Sequence, residues 1–165
     1  MLDPDLVLAA VVDAFQSIPA VVSELADDPT NIIGHTYTYG TEDSIARAIY
    51  SMRSPSILVA YLDLLGGNFD GATIWKHRLE VYLRPKNAAT GVVGGMSGVP
   101  AASPPHVWWL LMNSVLGSTF QNFRQTSLLS GSLMLCDTPT LKHRTDEQGA
   151  DLWVGQLVIP EWGDA

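Results

Sequence analysis

Residues 75–84 read WKHRLEVYLR. Trp75, His77, Leu79, Val81 and Leu83 alternate with Lys76, Arg78, Glu80, Tyr82 and Arg84. A period of two sustained over this length predicts a β-strand with one covered and one open face. Just upstream, Ile57 to Leu65 (ILVAYLDLL) is rich in branched and aromatic residues and predicts another strand, entered after Pro55 and stopped at Gly66-Gly67. Residues 66–73 (GGNFDGAT) read as a turn, so the two strands pair as a hairpin.

Working outward from the hairpin, residues 3–26 predict a helix. Val7, Val11, Phe15, Ile18, Val22 and Leu25 make one apolar stripe, and Asp3 with Pro4 suits its first turn. Pro19 should kink this helix, or a second helix restarts near Ser17. Residues 32–39 (IIGHTYTY) fit a strand, and 41–51 fit either a short helix or irregular surface. Downstream, Ser103-Pro104-Pro105 opens a helix whose inner face carries Trp108, Leu111, Met112 and Val115 and which Gly117 ends. Residues 127–137 and 152–160 read as two further strands, joined through a polar turn at 138–151 into a second hairpin. The expected fold class is α+β: an antiparallel or mixed four-stranded sheet with helices packed on one face. The order is helix-strand-strand-helix-strand-strand. Its other face must meet water or another subunit.

The 165 residues suffice for one domain with a real core, expected to span 1–165 with a long flexible loop at 85–103. Net charge is -8 and unevenly laid out. Residues 1–46 hold eight acids and no Lys or Arg, all nine Lys and Arg fall between Arg47 and Arg144, and 146–165 add five acids. That layout disfavours a groove gripping nucleic acid through many phosphate contacts. A single cysteine, Cys136, can form no disulfide within the chain, and a reducing compartment fits. No cationic start precedes an apolar run and no apolar stretch is long enough for a bilayer, so a soluble protein without a signal peptide is expected.

No catalytic constellation emerges from the residues. GVVGG at 91–95 lacks the Lys-Ser or Lys-Thr of a phosphate loop and the spacing of a dinucleotide fingerprint. His35, His77, His106 and His143 show no metal-ligand spacing, and His77 is expected to pack inside. Asp63, Asp70 and Glu80 read as solvated surface acids, and Cys136 as a buried thiol in SLMLCD. No cofactor or metal is expected. The charged face of residues 76–84 is either a solubility device or a subunit contact. In the second case, a ring of identical subunits would set the bases of one copy against the acids of the next.

Pro55-Ser56-Ile57-Leu58-Val59, the glycine-rich turn and Trp75-Lys76-His77-Arg78-Leu79-Glu80-Val81-Tyr82-Leu83 resemble the tail terminator (tail completion) proteins of long-tailed bacteriophages. The resemblance runs along the chain in element order and is closest from Pro55 to Val115 and at 152–160. The chain departs from the simplest members at 27–54 and 85–103. The resemblance implies a hexameric homo-oligomer in the virion, assembled in the host cytoplasm. That ring caps the tail tube, stops its polymerisation, joins the tube protein to the head connector and lets DNA pass, without catalysis. A head-closure or other neck protein is the nearest alternative; a small cellular enzyme or binding adaptor is a further one. Candidate subunit or ring interface positions are Lys76, Arg78, Glu80, Arg84, Lys86, Gly91, Gly94, Gly95, Met96 and Trp162. The 85–103 loop, with four Gly, two Pro and the single charge of Lys86, either docks on a neighbouring ring and orders there or is a tolerated surface connection. Acids from the chain ends or turns are expected to line the lumen, where they would keep phosphates sliding.

Overall fold

The computed structural model describes residues 3–35, 43–69, 71–84, 103–116, 140–145, 149 and 151–162. It is a mixed α+β fold with an open five-stranded sheet, one strand more than the sequence led us to expect. The first long helix is in fact two: α1 (Pro4–Gln16) and α2 (Pro19–Glu24). Asp3 caps α1 by accepting from the Asp5 N–H at 2.9 Å, and Pro4 fills the first turn, where a missing N–H costs nothing. Pro19 has no N–H to continue α1, so the chain breaks at Ser17–Ile18 and restarts, as one of the two sequence readings had it. Asp28 then accepts from the Thr30 N–H and hydroxyl, capping a 3-10 turn at Pro29–Asn31. Those two bonds hold the Asp28 carboxyl below its ordinary range. The Gln16 side chain donates to the carbonyls of Pro29 and Ile32, tying the end of α1 to strand β1 (Ile32–His35).

β1 pairs in parallel with β2 (Ser56–Phe69). A parallel pair needs a crossover, and α3 (Asp43–Tyr50) supplies its helix, so the helical reading of 41–51 holds over residues 43–50. β2 then pairs antiparallel with β3 (Ala72–Arg84), the expected hairpin. Its turn is far shorter than the glycines suggested. Gly66, Gly67, Asn68 and Phe69 continue β2, and only positions 70–71 separate the strands. The Trp75 ring explains why glycine extends here instead of turning: it lies across its register partner Gly66, where a Cβ would come within 2.8 Å.

Helix α4 (Pro104–Leu116) begins where Ser103 predicts, with the Ser103 hydroxyl accepting from the His106 N–H. Of the second hairpin, the later strand is present, with a partner that the sequence reading did not foresee. β4 (Thr140–Thr145) lies inside the stretch read as a polar turn, and it pairs with β5 (Asp151–Trp162). The strand expected at 127–137, with Cys136, the helix end at Gly117 and nearly all of the 85–103 loop lie outside the described residues. Sheet order is β1-β2-β3-β5-β4.

Helices pack on both faces, not one. Under α1, α2 and α4 a single core joins Val7, Val11 and Phe15 to Val59, Leu79, Val81, Leu157, Ile159 and Leu111. Trp108 of α4 sits over Gly155 of β5, whose missing Cβ leaves the space its ring occupies. His77 is fully buried on this face and shares a 2.7 Å hydrogen bond between its Nδ1 and the Tyr61 hydroxyl, the packing role expected of it. On the opposite face a smaller cluster of Met52, Leu58, Ala60, Tyr82, Leu152 and Val154 is covered by Ile45, Ala48 and Ile49 of α3. Tyr82, placed on an open face by its alternation, is therefore buried.

Candidate functional site

The second face of the sheet carries the residues singled out by period two. Lys76, Arg78, Glu80, Tyr82 and Arg84 line it along β3, and the register adds their neighbours. Glu80 stands between Ala60 and Gln156, Tyr82 between Leu58 and Val154, and Arg84 opposite Ser56. β4 closes the row: Thr140 opposite Gln156, Lys142 opposite Val154, Arg144 opposite Leu152. One face thus gathers five cations, Lys76, Arg78, Arg84, Lys142 and Arg144.

Each of the β3 charges has a distinct environment. Between Tyr61 and Asp63 the β2–β3 register slips by one residue, leaving Leu62 as a bulge. Without that slip Leu62 would stand opposite Arg78; with it, Asp63 does. The Arg78 guanidinium donates through Nε to Asp63 Oδ1 at 2.9 Å and through its terminal nitrogen to Oδ2. Asp63 is therefore half of a two-pronged ion pair and not the lone solvated acid expected. Both side chains stay over a third exposed, so water screens the pair and its net worth is about 1 kcal/mol or less. Glu80 is also engaged: the Tyr82 hydroxyl donates to its Oε2. Burial pushes the Tyr82 phenol far up, the Glu80 hydrogen bond and charge add to this, and the cationic Arg144 acts weakly against it.

Arg84 points the other way in function. Its guanidinium donates to the Ile49 carbonyl at 3.0 Å, in the last turn of α3, where helix carbonyls lack intrahelical donors and the dipole favours a cation. It fastens α3 to the sheet. Lys76, Lys142 and Arg144 make no ion pair among the described residues, and Lys142 and Arg144 are exposed. Next to them, on the other side of β4, His143 bonds Asp151 at 2.9 Å and packs at a tilt against the Trp153 ring.

Of the candidate interface residues, Lys76, Arg78, Glu80 and Arg84 come together. Trp162 is at the far end of β5, opposite Ile74 in register, two positions beyond the partner of Lys76 at that end of the row. Lys86, Gly91, Gly94, Gly95 and Met96 lie outside the described residues. Lys142 and Arg144 were missed. Their spacing of two in TLKHRT was the available signal, hidden because the stretch was read as a turn. Among the described residues no three His, Cys, Asp or Glu side chains converge to hold a metal ion. A flat row of donors suits an extended, acceptor-rich surface; small molecules bind in concave sites. No protein-family model matches this chain, and no curated protein matches it.

Proposed function

We propose that the protein is a structural component of a phage virion. As a ring of identical copies it caps the tail tube, stops polymerisation and joins the tube to the head connector. The reading rests first on the resemblance of two stretches, Pro55 to Val59 and Trp75 to Leu83, which are neighbours on the paired central strands β2 and β3. The observation that carries it is a ribbon that outruns the core. Among the side chains that the structure describes, the last buried one on β2 is Tyr61 and the first on β3 is His77, yet the two strands stay paired out to Phe69 and Ala72. β5 accompanies β3 as far as Ile74 and Trp162. From Leu62 onward β2 extends about 25 Å at strand rise. Leu65, Gly66, Gly67 and Asn68 are exposed along it. Globular strands are about 5–6 residues long, and β2 has 14. A strand pair that runs this far past the described buried residues leaves backbone and side chains available to another molecule.

The test adds the purified chain to growing tubes of the tube protein from the same genome. Electron microscopy then scores tube length and tube ends. Six-fold rings with a central hole on arrested tubes are the expected result. Rings that bind the head connector and ignore tubes would move the protein to the neck. A compact monomer that leaves tubes growing would overturn the reading.

A further inference from the structure

We propose that the cationic sheet face is the docking surface for the acidic outer side of α1 on a second copy of this chain, in a head-to-tail contact. This rests on the ring reading above and says which two surfaces meet.

The chain carries net charge -8, yet the described strand residues of this one face include five of its nine Lys and Arg against two acids, Asp63 and Glu80. Arg78 is neutralised by Asp63 and Arg84 is committed to α3. Lys76, Lys142 and Arg144 are left to act outward. The matching anions are on the far side of the molecule. Asp3, Asp5 and Asp13 are exposed on α1, which turns Val7, Leu8, Val11 and Phe15 toward the sheet. Asp13 is directed almost opposite that stripe at 100° per residue, alongside Leu6. No Lys or Arg occurs in residues 1–46 to neutralise them.

A single copy cannot bring these surfaces together, because the sheet and the α1 layer lie between them. Two copies can, and only by pairing unlike surfaces. Such a contact is heterologous and closes into a ring when its rotation permits. Each surface also leaves apolar area open: Leu6, two turns from Asp13 on the same side of α1, and Leu65 as the register partner of Lys76. Exposed apolar side chains with complementary charges around them are the composition of a protein contact. A nucleic acid would meet the same three cations, but also the field of a strongly acidic chain that repels phosphate.

The test uses sedimentation velocity on the full chain at low salt and at about 0.5 M salt, where screening shrinks to a few ångströms. Three proteins are compared: wild type, Lys142→Glu/Arg144→Glu, and Asp5→Lys/Asp13→Lys. All the substituted side chains are exposed, and circular dichroism with a thermal melt establishes that each variant folds. The wild type should associate at low salt and dissociate at high salt. Each variant alone should lose at least about tenfold in association constant, since like charges then face each other. An equimolar mixture of the two variants should recover it, because each reversed surface meets its new complement on the other. Oligomers indifferent to both variants, or a mixture that fails to recover, overturn the docking while leaving a ring built through other surfaces. A wild type monomeric at low salt also overturns it, although rings seen only at tube ends would still stand. Binding of a short DNA duplex lost in Lys142→Glu/Arg144→Glu, with self-association unchanged, would assign the face to phosphate and overturn the proposal.

Discussion

The two faces of the sheet share the backbone of β3 and differ in almost everything else. On the face under α1, α2 and α4, Leu79, Val81 and Leu83 enter one continuous apolar core, and His77 is buried on the same side. On the other face, Tyr82 alone of the described β3 side chains joins a small cluster under helix α3, and the charges continue beyond it. The first face holds the molecule together through area removed from water. The second adds to its small apolar cluster a few directed bonds: Arg78 to Asp63, Tyr82 to Glu80, Arg84 to Ile49. One backbone can therefore serve stability on one side and contact on the other, because a strand sends alternate side chains apart.

The sharpest way to break this contrast is to damage the apolar side. Phe15→Ala should cost about 3–5 kcal/mol, since the ring is fully buried and its removal leaves a cavity. Urea denaturation measures it; a loss under about 1 kcal/mol would mean that α1 hardly supports the sheet. Next comes Gly155→Ala, which pushes a methyl group into the Trp108 ring. Overpacking of this kind costs about 1–3 kcal/mol. Pairing it with Trp108→Leu should return part of the loss, and no recovery would show that the ring is not what the methyl group meets.

On the charged side the effects should be smaller and local. Arg84→Ala removes a charge-assisted bond worth about 1.5 kcal/mol or less once solvent competes. Its mark should be faster hydrogen exchange in α3 with α1 amides unchanged. Exchange rising equally in both helices would mean that the two faces unfold as one. The smallest effect at neutral pH is Tyr82→Phe, and its signature is in pH. The phenol is neutral when protonated and its folded pKa is raised above the unfolded 10.0. Its contribution is therefore full below about pH 10. Above that the unfolded chain ionises first and the contribution declines, until it is gone as the folded group titrates. The wild type should lose stability above about pH 10 more steeply than Tyr82→Phe. Parallel pH profiles would show that Tyr82 is not held neutral by burial.

How far the sequence could be read follows the same division. The stripe on α1, the break at Pro19, the Ser103 start of α4 and the β2–β3 hairpin all come from residues that bury a face, where periodicity is strong. β4 was hidden because TLKHRT is open nearly everywhere, and an edge strand wet on both sides shows no apolar alternation. The glycines after Leu65 passed for a turn because the side chain that keeps them extended, Trp75, belongs to the facing strand. α3 covers the second face with only Ile45, Ala48 and Ile49, too short a pattern to declare its side. Period two alone brought Lys76, Arg78, Glu80 and Arg84 to one surface. It could not add Lys142 and Arg144 without β4. Nor could it foresee the Leu62 bulge that sets Asp63 against Arg78.

The pairing of β3 with β5 has a kinetic consequence. β2 is available to β3 as soon as the hairpin closes, but the nearest β5 partner in sequence, Trp153 for Leu83, arrives only after α4 and β4 have been made. Closing so wide a loop is slow relative to forming a local hairpin. Through that interval β3 shows a bare row of amide and carbonyl groups to any other nascent chain. Yield on expression should therefore depend on how soon β5 arrives, and a chain stalled before residue 151 is the species most prone to clump.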